Sequence, residues 1–208
     1  ILGLVLLNEF ELPELSAFSD DILERLTKEM SVSGIETIWL SDGSTISSFP
    51  QFGFVAHCGS TISELSILDP AALRRHLDQV EGFEKFDMVV SATLNAPFVN
   101  VEDIEHAIKA AGRQLSGAAL SVTEIPYSND CLYEVSNSKT FVPVDMAIST
   151  PKSTYVLVPG LSAFSRNAFH AVVAQNERFA PVILPGVRGL IVTSELEARI
   201  SMKILAHA

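Results

Sequence analysis

The residues of this chain able to do chemistry fall into a few short groups. Asn8, Glu9, Glu11 and Glu14 lie close together, and Ser41 and Asp42 follow a second apolar run. Such oxygen-rich sets suit a hard cation such as Ca²⁺ or Mg²⁺, but carboxylates spaced this way on a polar segment read first as a solvated loop. Asp42 stands before Gly43; it is a turn former by type, with a ribose or sugar contact as its functional alternative. His57 adjoins Cys58, but neighbours on a strand point to opposite faces, which disfavours a thiol–imidazole pair or shared metal. Ser60-Thr61 and Ser162 lack the Gly-x-Ser-x-Gly elbow of a serine hydrolase. Arg74-Arg75 reads as a solvated helix face, and His76, His106, His170 and His207 make no spacing motif. Gly186-Val187-Arg188-Gly189 alone joins glycines to a cation near an apolar run. A turn is its default, and Arg188 is the candidate there for an anionic group. No residue is singled out as catalytic or as a metal ligand.

The elements that must position these groups alternate. Ile1–Leu7 is a short apolar run of the kind buried on both faces of a sheet. Ser19 can cap a helix that buries Ile22, Leu23, Leu26 and Met30 and stops at Ser33-Gly34. Strands are expected at Thr37–Leu40, Phe52–Val55, Asp87 to about Ala92, Ala118–Glu124, Tyr155–Val158, Leu161–Phe164 and Gly189–Val192. Asp69-Pro70 opens a helix with Leu73, Leu77 and Val80 inward. Asn100 caps another, with Asp103 completing a capping box and Val101, Ile104, Ile108 and Ala111 inward. Ser165 caps a helix to about Ala174, and Ser194 with Glu197 caps a last one whose inward residues are expected to be Leu196, Ile200 and Ile204. Residues 125–153 alternate β-like pieces with turn residues and read as hairpins or an excursion from the main sheet. Phe52–Phe54, Phe164 and Phe169 read as core or interface.

This alternation defines an α/β domain with a mostly parallel, three-layer sheet and right-handed connections. The whole of 1–208 is one domain, with 125–153 protruding. Ligands of such sheets bind at the carboxyl ends of the strands. Those ends are Asn8, Ser41-Asp42, Ala92–Asn95 and Thr193, with Asn8, Ser41, Asp42 and Asn95 as the candidate ligand contacts.

Composition narrows the function. With 14 basic and 25 acidic residues in 208, the formal charge is −11. That is the wrong sign for nucleic acid or an anionic membrane surface. A mean hydropathy of +0.31 excludes a disordered chain, and no apolar run reaches the ~18 residues of a membrane span. Two cysteines, Cys58 and Cys131, fit neither a disulfide framework nor a four-ligand zinc site. With no secretory leader to be read, a cytoplasmic location is expected.

Five segments, in order, resemble the acylneuraminate cytidylyltransferase family, which makes CMP-activated nonulosonic sugars from CTP. Ser19–Gly34 with Glu36–Asp42 is similar to that family's first helix and the strand ending in Ser-Thr-Asp. Asp87–Val90, Ala96-Pro97-Phe98 and Val101-Glu102-Asp103-Ile104 are similar to its strand, Gln-Pro-Thr-Ser-Pro-Leu-Arg turn and Ala-Glu-Asp-Ile helix start. Gly117–Ser128 follows its Ala-Asp-Ser-Val-Val-Ser-Val-Thr-Glu-Val-Pro-His-Ser. Tyr155–Phe164 and Leu190–Ile200 are similar to the Asn-Gly-Ala-Ile-Tyr strand and the closing Ile-Asp-Ile-Asp-Thr-Glu-Leu-Asp segment. The resemblance implies a Rossmann-like nucleotidyltransferase fold, a homodimer formed through the 125–153 excursion, and CTP with Mg²⁺ wherever the family's activity survives.

Departures from the family pattern fall on its chemistry. Its Arg-x-Gly-Ser-Lys phosphate loop corresponds to Asn8–Glu14, which has no glycine, arginine or lysine. Residues 1–24 carry no basic side chain, and Arg25 and Lys28 are the only ones before Arg74. The closing aspartates correspond to Ile191 and Thr193, the turn's Gln and Arg to Thr93 and Val99, and Asn-Gly to about Val158-Pro159. A hydroxyl replaces a carboxylate poorly on Mg²⁺. The expectation is therefore a catalytically inactive scaffold or interaction protein with no cofactor. An active nucleotidyltransferase with an altered site and a small-molecule binding module are the alternatives.

Overall fold

In a computed structural model, the described residues are 1–6, 16–35, 37–41, 55–58, 68, 70–78, 83–113, 117–124, 133–135, 141–143, 155–170 and 179–207. Nine strands and five helices lie among them: β1 (Leu2–Leu6), α1 (Ser16–Val32), β2 (Thr37–Ser41), β3 (Val55–Cys58), α2 (Pro70–Leu77), β4 (Met88–Thr93), α3 (Val101–Arg113), β5 (Ala118–Glu124), β6 (Tyr133–Val135), β7 (Phe141–Pro143), β8 (Tyr155–Ser165), α4 (Arg166–His170), β9 (Ala180–Ile183) and α5 (Glu195–Leu205). Seven strands form one sheet in the order β3-β2-β1-β4-β8-β5-β9, while β6 and β7 pair only with each other. The pairs β1–β2, β1–β4, β2–β3 and β5–β9 are parallel, and β8 runs antiparallel to both β4 and β5. The expected α/β architecture with a mostly parallel sheet is the one observed.

Alternate residues of β1, β4, β5 and β8 feed two cores. Val5, Val90, Ala92 and Ala163 pack with Ile22, Leu26 and Met30 of α1 and Ile104 and Ala107 of α3. Leu2, Leu4, Val89, Leu120 and Phe164 pack on the other face with Leu73 and Leu77 of α2 and Phe169 of α4. Each buried Leu or Phe removes enough apolar surface to contribute about 1.5–3 kcal/mol. The Phe164 and Phe169 rings meet edge to face, with centroids 5.8 Å apart.

Local chemistry sets the ends of the elements. Gly34 takes φ +81°, and the bonds Gly34 N–H to Ser31 O and Ile35 N–H to Met30 O close a Schellman motif on α1. Ile35 and Met30 are both buried in the same core, the apolar contact that accompanies such a cap. Asn100 and Asp103 form the expected capping box on α3, with Asp103 N–H to Asn100 Oδ1 at 3.1 Å and Asn100 N–H to Asp103 Oδ2 at 3.2 Å.

The structure corrects several expectations. Tyr155–Phe164 is not two strands around Pro159-Gly160 but one continuous strand, β8. Proline is tolerated there because the β5–β8 register shifts between Leu120 and Val122, leaving a bulge. The third strand is Val55–Cys58, not Phe52–Val55. Helix α1 begins at Ser16, ahead of Ser19.

No strand forms at Gly189–Val192; Gly186–Gly189 is a 3₁₀ turn, and Val192 makes a single bridging bond. The last strand is β9, Ala180–Ile183, whose Pro181 weakened its signal. Proline is accommodated because β9 is an outer strand of the described sheet. On α3, Asp103 and Ala107 are buried, whereas Val101 and Ile108 are half-buried. On α5, Leu196, Ile200 and Ile204 face outward, 69%, 45% and 37% exposed, while Ala198 and Ser201 are buried. Small residues let that helix approach the core closely, so the larger apolar side chains lie on its outer face. Phe52–Phe54, Val80 and the segment after His170 to about Ala174 lie outside the described residues.

Candidate functional site

The chain leaves β1 for β2 on one side and returns as β4 on the other. That reversal makes the carboxyl ends of β1 and β4 the topological switch point, where ligands of open α/β sheets bind. Asn8, Asp42 and the acidic set Glu9, Glu11 and Glu14 lie outside the described residues, as do Ser60-Thr61 and Cys131. Ser41 is the last residue of β2, in register with Leu6 of β1 and Cys58 of β3. His57 and Cys58 are consecutive on β3, as the sequence suggested.

At the end of β4, Thr93 is buried, and its hydroxyl donates to the Pro159 carbonyl at 2.9 Å. Asn95 follows in the turn, is 3% exposed, and accepts the Val192 N–H on its backbone carbonyl at 2.7 Å. Asn95 therefore joins the β4 edge to the segment leading into α5. At Gly160 the β8 backbone runs against this region: a methyl placed there would lie 3.1 Å from Ala96 Cβ and 3.3 Å from Ile191 Cδ1. Ile191 is thus an apolar contact against the sheet edge. Thr193 gives both its N–H and its hydroxyl to Glu197, at 2.7 and 2.8 Å. These bonds, with the Thr193 N–H first, hold the Glu197 carboxyl below the usual carboxylate range. Ser194 Oγ accepts the Glu197 N–H at 3.3 Å, so the expected cap of α5 is present.

The turn after β4 leads into the N-terminus of α3, a position that by helix geometry favours anions. Here the protein's own groups occupy it. Glu29 of α1 accepts the Val101 N–H on Oε2 at 2.8 Å, and Asn100 takes the Asp103 N–H. Arg25, one turn earlier on α1, donates from Nη1 to the Pro97 carbonyl at 3.0 Å. Arg25 thus ties α1 to the Ala96-Pro97-Phe98 turn, and Glu29 ties it to the first residue of α3.

Arg188 lies at this same helix start. Its Nη1 is 3.1 Å from Asp103 Oδ1, 3.7 Å from Glu102 Oε2 and 3.3 Å from Asn100 Oδ1. Asp103 is 4% exposed, and burial raises its pKa despite the bond from Asn100 and the Arg188 charge. Of the sequence candidates, the structure brings Arg188 to Asn100 and Asp103, and Asn95 to Val192. Sequence reasoning missed Glu29 and Arg25, whose partners lie 72 residues along the chain. Among the described residues, no three of His, Cys, Asp or Glu converge as a metal site, and no helix is long and apolar enough to cross a membrane.

Comparison with solved structures identifies the fold. The 4-diphosphocytidyl-2C-methyl-D-erythritol synthase of Anaerococcus prevotii superposes with a TM-score of 0.64 at 10% identity, covering 99% of this chain and 98% of that one. The 2-C-methyl-D-erythritol 4-phosphate cytidylyltransferase of Thermus thermophilus gives 0.61 at 14%, covering 100% and 99%. A CMP:2-keto-3-deoxy-manno-octonic acid synthetase solved with CTP gives 0.59 at 10%, covering 100% and 98%. The chain thus has the Rossmann-like nucleotidyltransferase fold seen in cytidylyltransferases. No protein-family model matches it, and no curated protein matches it either.

Proposed function

We propose that this chain is a cytidylyltransferase-fold protein of acylneuraminate-synthetase type that no longer transfers cytidylyl groups and serves as a scaffold or interaction protein. The observation that carries this reading is the use of the α3 N-terminus. Glu29 fills it from within, and Arg188, the candidate for an anionic group, is committed to Asp103. A triphosphate needs backbone donors and cations aimed at it; at this helix start the Val101 N–H and Arg188 are turned to Glu29 and Asp103 instead. Ile191 and Thr193 support the same reading, since one packs on Gly160 and the other donates to Glu197 of α5.

A homodimer and a cytoplasmic location belong to this proposal. The dimer would form beside the 125–153 segment, where Tyr155, Val156 and Leu157 are exposed in succession at the start of β8. The deciding experiment is calorimetric titration of CTP with and without Mg²⁺. No heat at millimolar CTP is expected. Tight, Mg²⁺-dependent binding would overturn the reading and put an active nucleotidyltransferase with an altered site in its place.

A further inference from the structure

The chain changes character after β9. Leu184 gives its N–H to Val122 of β5. Pro185 follows and has no N–H to give. Gly186 takes φ +56°, with no atom within 4 Å of where a Cβ would stand. From residue 186 to 193 the backbone joins no ladder among the described residues. The Arg188 and Leu190 N–H groups close local turns on Pro185 and Val187, and the Val192 N–H crosses to the Asn95 carbonyl. Arg188 pins the start of this segment to α3, with Nη1 3.1 Å from Asp103 Oδ1 and 3.3 Å from Asn100 Oδ1. Beyond it, Ile191 lies over Gly160.

Helix α5 then seats itself on small residues. Within 186–205 the fully buried side chains are Val192, Ala198 and Ser201, whereas five of the six residues of β4 are buried. The buried Ser201 hydroxyl has no hydrogen-bond partner among the described residues, so its desolvation is not recovered. Leu196, Ile200 and Ile204 are exposed and add little to the seat. Few buried apolar groups and little ladder bonding mark the low end of local stability.

We propose that residues 186–205 are a strap, hinged at Gly186, that opens as one unit from the carboxyl end of β4 while the sheet stays folded, and that Arg188 is the pin that sets how often it opens. Opening withdraws Val192 from Asn95 and Ile191 from Gly160. It therefore uncovers the switch point at which ligands of such sheets bind. The proposal does not depend on whether the cleft takes nucleotide, and CTP titration does not bear on it.

Native-state hydrogen exchange of the full chain, read by mass spectrometry in low concentrations of urea, tests this. Peptides spanning 190–205 are expected to exchange together, with one urea dependence and at least about tenfold less protection than β1 and β4. Arg188→Met loses a charge-assisted bond and is expected to speed the segment about tenfold; Arg188→Lys should recover part of that. Ser201→Ala should slow it several-fold, since it removes the unpartnered hydroxyl and favours helix. Leu4 packs on the other face of the sheet. Leu4→Val should therefore speed β1 and β4 and leave the segment's rate unchanged. Equal protection of the segment and β4, or Leu4→Val speeding both alike, would mean that the segment opens only with the whole domain and would overturn the proposal. So would α5 exchanging while residues 190–193 stay protected, or a wild-type rate in Arg188→Met that is folded by circular dichroism. Where Arg188→Met does not fold, Ser201→Ala and Leu4→Val decide the matter.

Discussion

The Glu29 carboxylate accepts the Val101 N–H at 2.8 Å, tying the C-terminal part of α1 to the first turn of α3. A carboxylate at that place satisfies a donor that has no partner within the helix and meets the positive end of its dipole. Glu29→Ala is expected to lower stability by about 1–2 kcal/mol. Glu29→Gln should lose less, because the amide oxygen can still accept the bond while the charge is gone. Urea unfolding of the two variants checks this. Equal losses would mean that charge, rather than the hydrogen bond, is what Glu29 contributes.

Two carboxyls pull the pH dependence of stability in opposite directions. Asp103 has its pKa raised above 3.8 by burial. As pH climbs from that value through the folded pKa, the native state holds more protons than the unfolded chain, so this group's contribution falls. Glu197 has its pKa lowered below 4.5 by the bonds from Thr193. Its contribution is fully present above 4.5 and is lost as pH drops through the folded value. Asp103→Asn should therefore remove a component that declines with rising pH, and Glu197→Gln one that increases with it. Denaturation midpoints measured across the acid range for both variants would show opposite changes in slope. Changes of the same sign would contradict the assignment.

Gly189 closes the turn beneath Arg188, where the backbone passes against β5. A methyl on it would stand 2.7 Å from Thr123 Cβ and 2.8 Å from the Leu184 carbonyl oxygen. Gly189→Ala is expected to cost about 1–3 kcal/mol through overpacking. Thr123→Ala should not rescue it, since Thr123 Cβ and the Leu184 carbonyl both remain. Gly112 near the end of α3 is the contrast, with only Met88 Cε nearby at 3.9 Å. Gly112→Ala should gain up to about 1 kcal/mol by helix propensity. Thermal melts of the two variants should move in opposite directions.

The central strands were legible because β1, β4 and β5 are buried apolar runs with turn residues after them, and α3 because its cap and box are written in Asn100 and Asp103. Strand β9 was not, since Pro181 speaks against a strand unless an outer position is known. Leu190-Ile191-Val192 looked like a strand because β-branched residues suit one, yet the Asn95–Val192 bond is a single link without a ladder. Helix α5 shows a further limit. Periodicity finds an apolar row but does not say which side meets the core when small residues such as Ala198 and Ser201 offer a closer approach. Within the site, the residue types at the positions matched to the family's phosphate loop and closing aspartates could be read from the sequence. The bond between Glu29 and the Val101 N–H could not, because nothing in a sequence links two residues so far apart.

The placement of Pro181 bears on how copies of this chain meet one another. Leu184 sends its N–H inward to Val122 of β5. By alternation along the strand, the Val182 N–H also points inward, while Pro181 and Ile183 address the outer side. The donor that proline lacks is therefore missing from the outer row, where another strand would seek it. A molecule arriving along β9 finds an interrupted template, so open-ended edge-to-edge stacking is discouraged on this side of the described sheet.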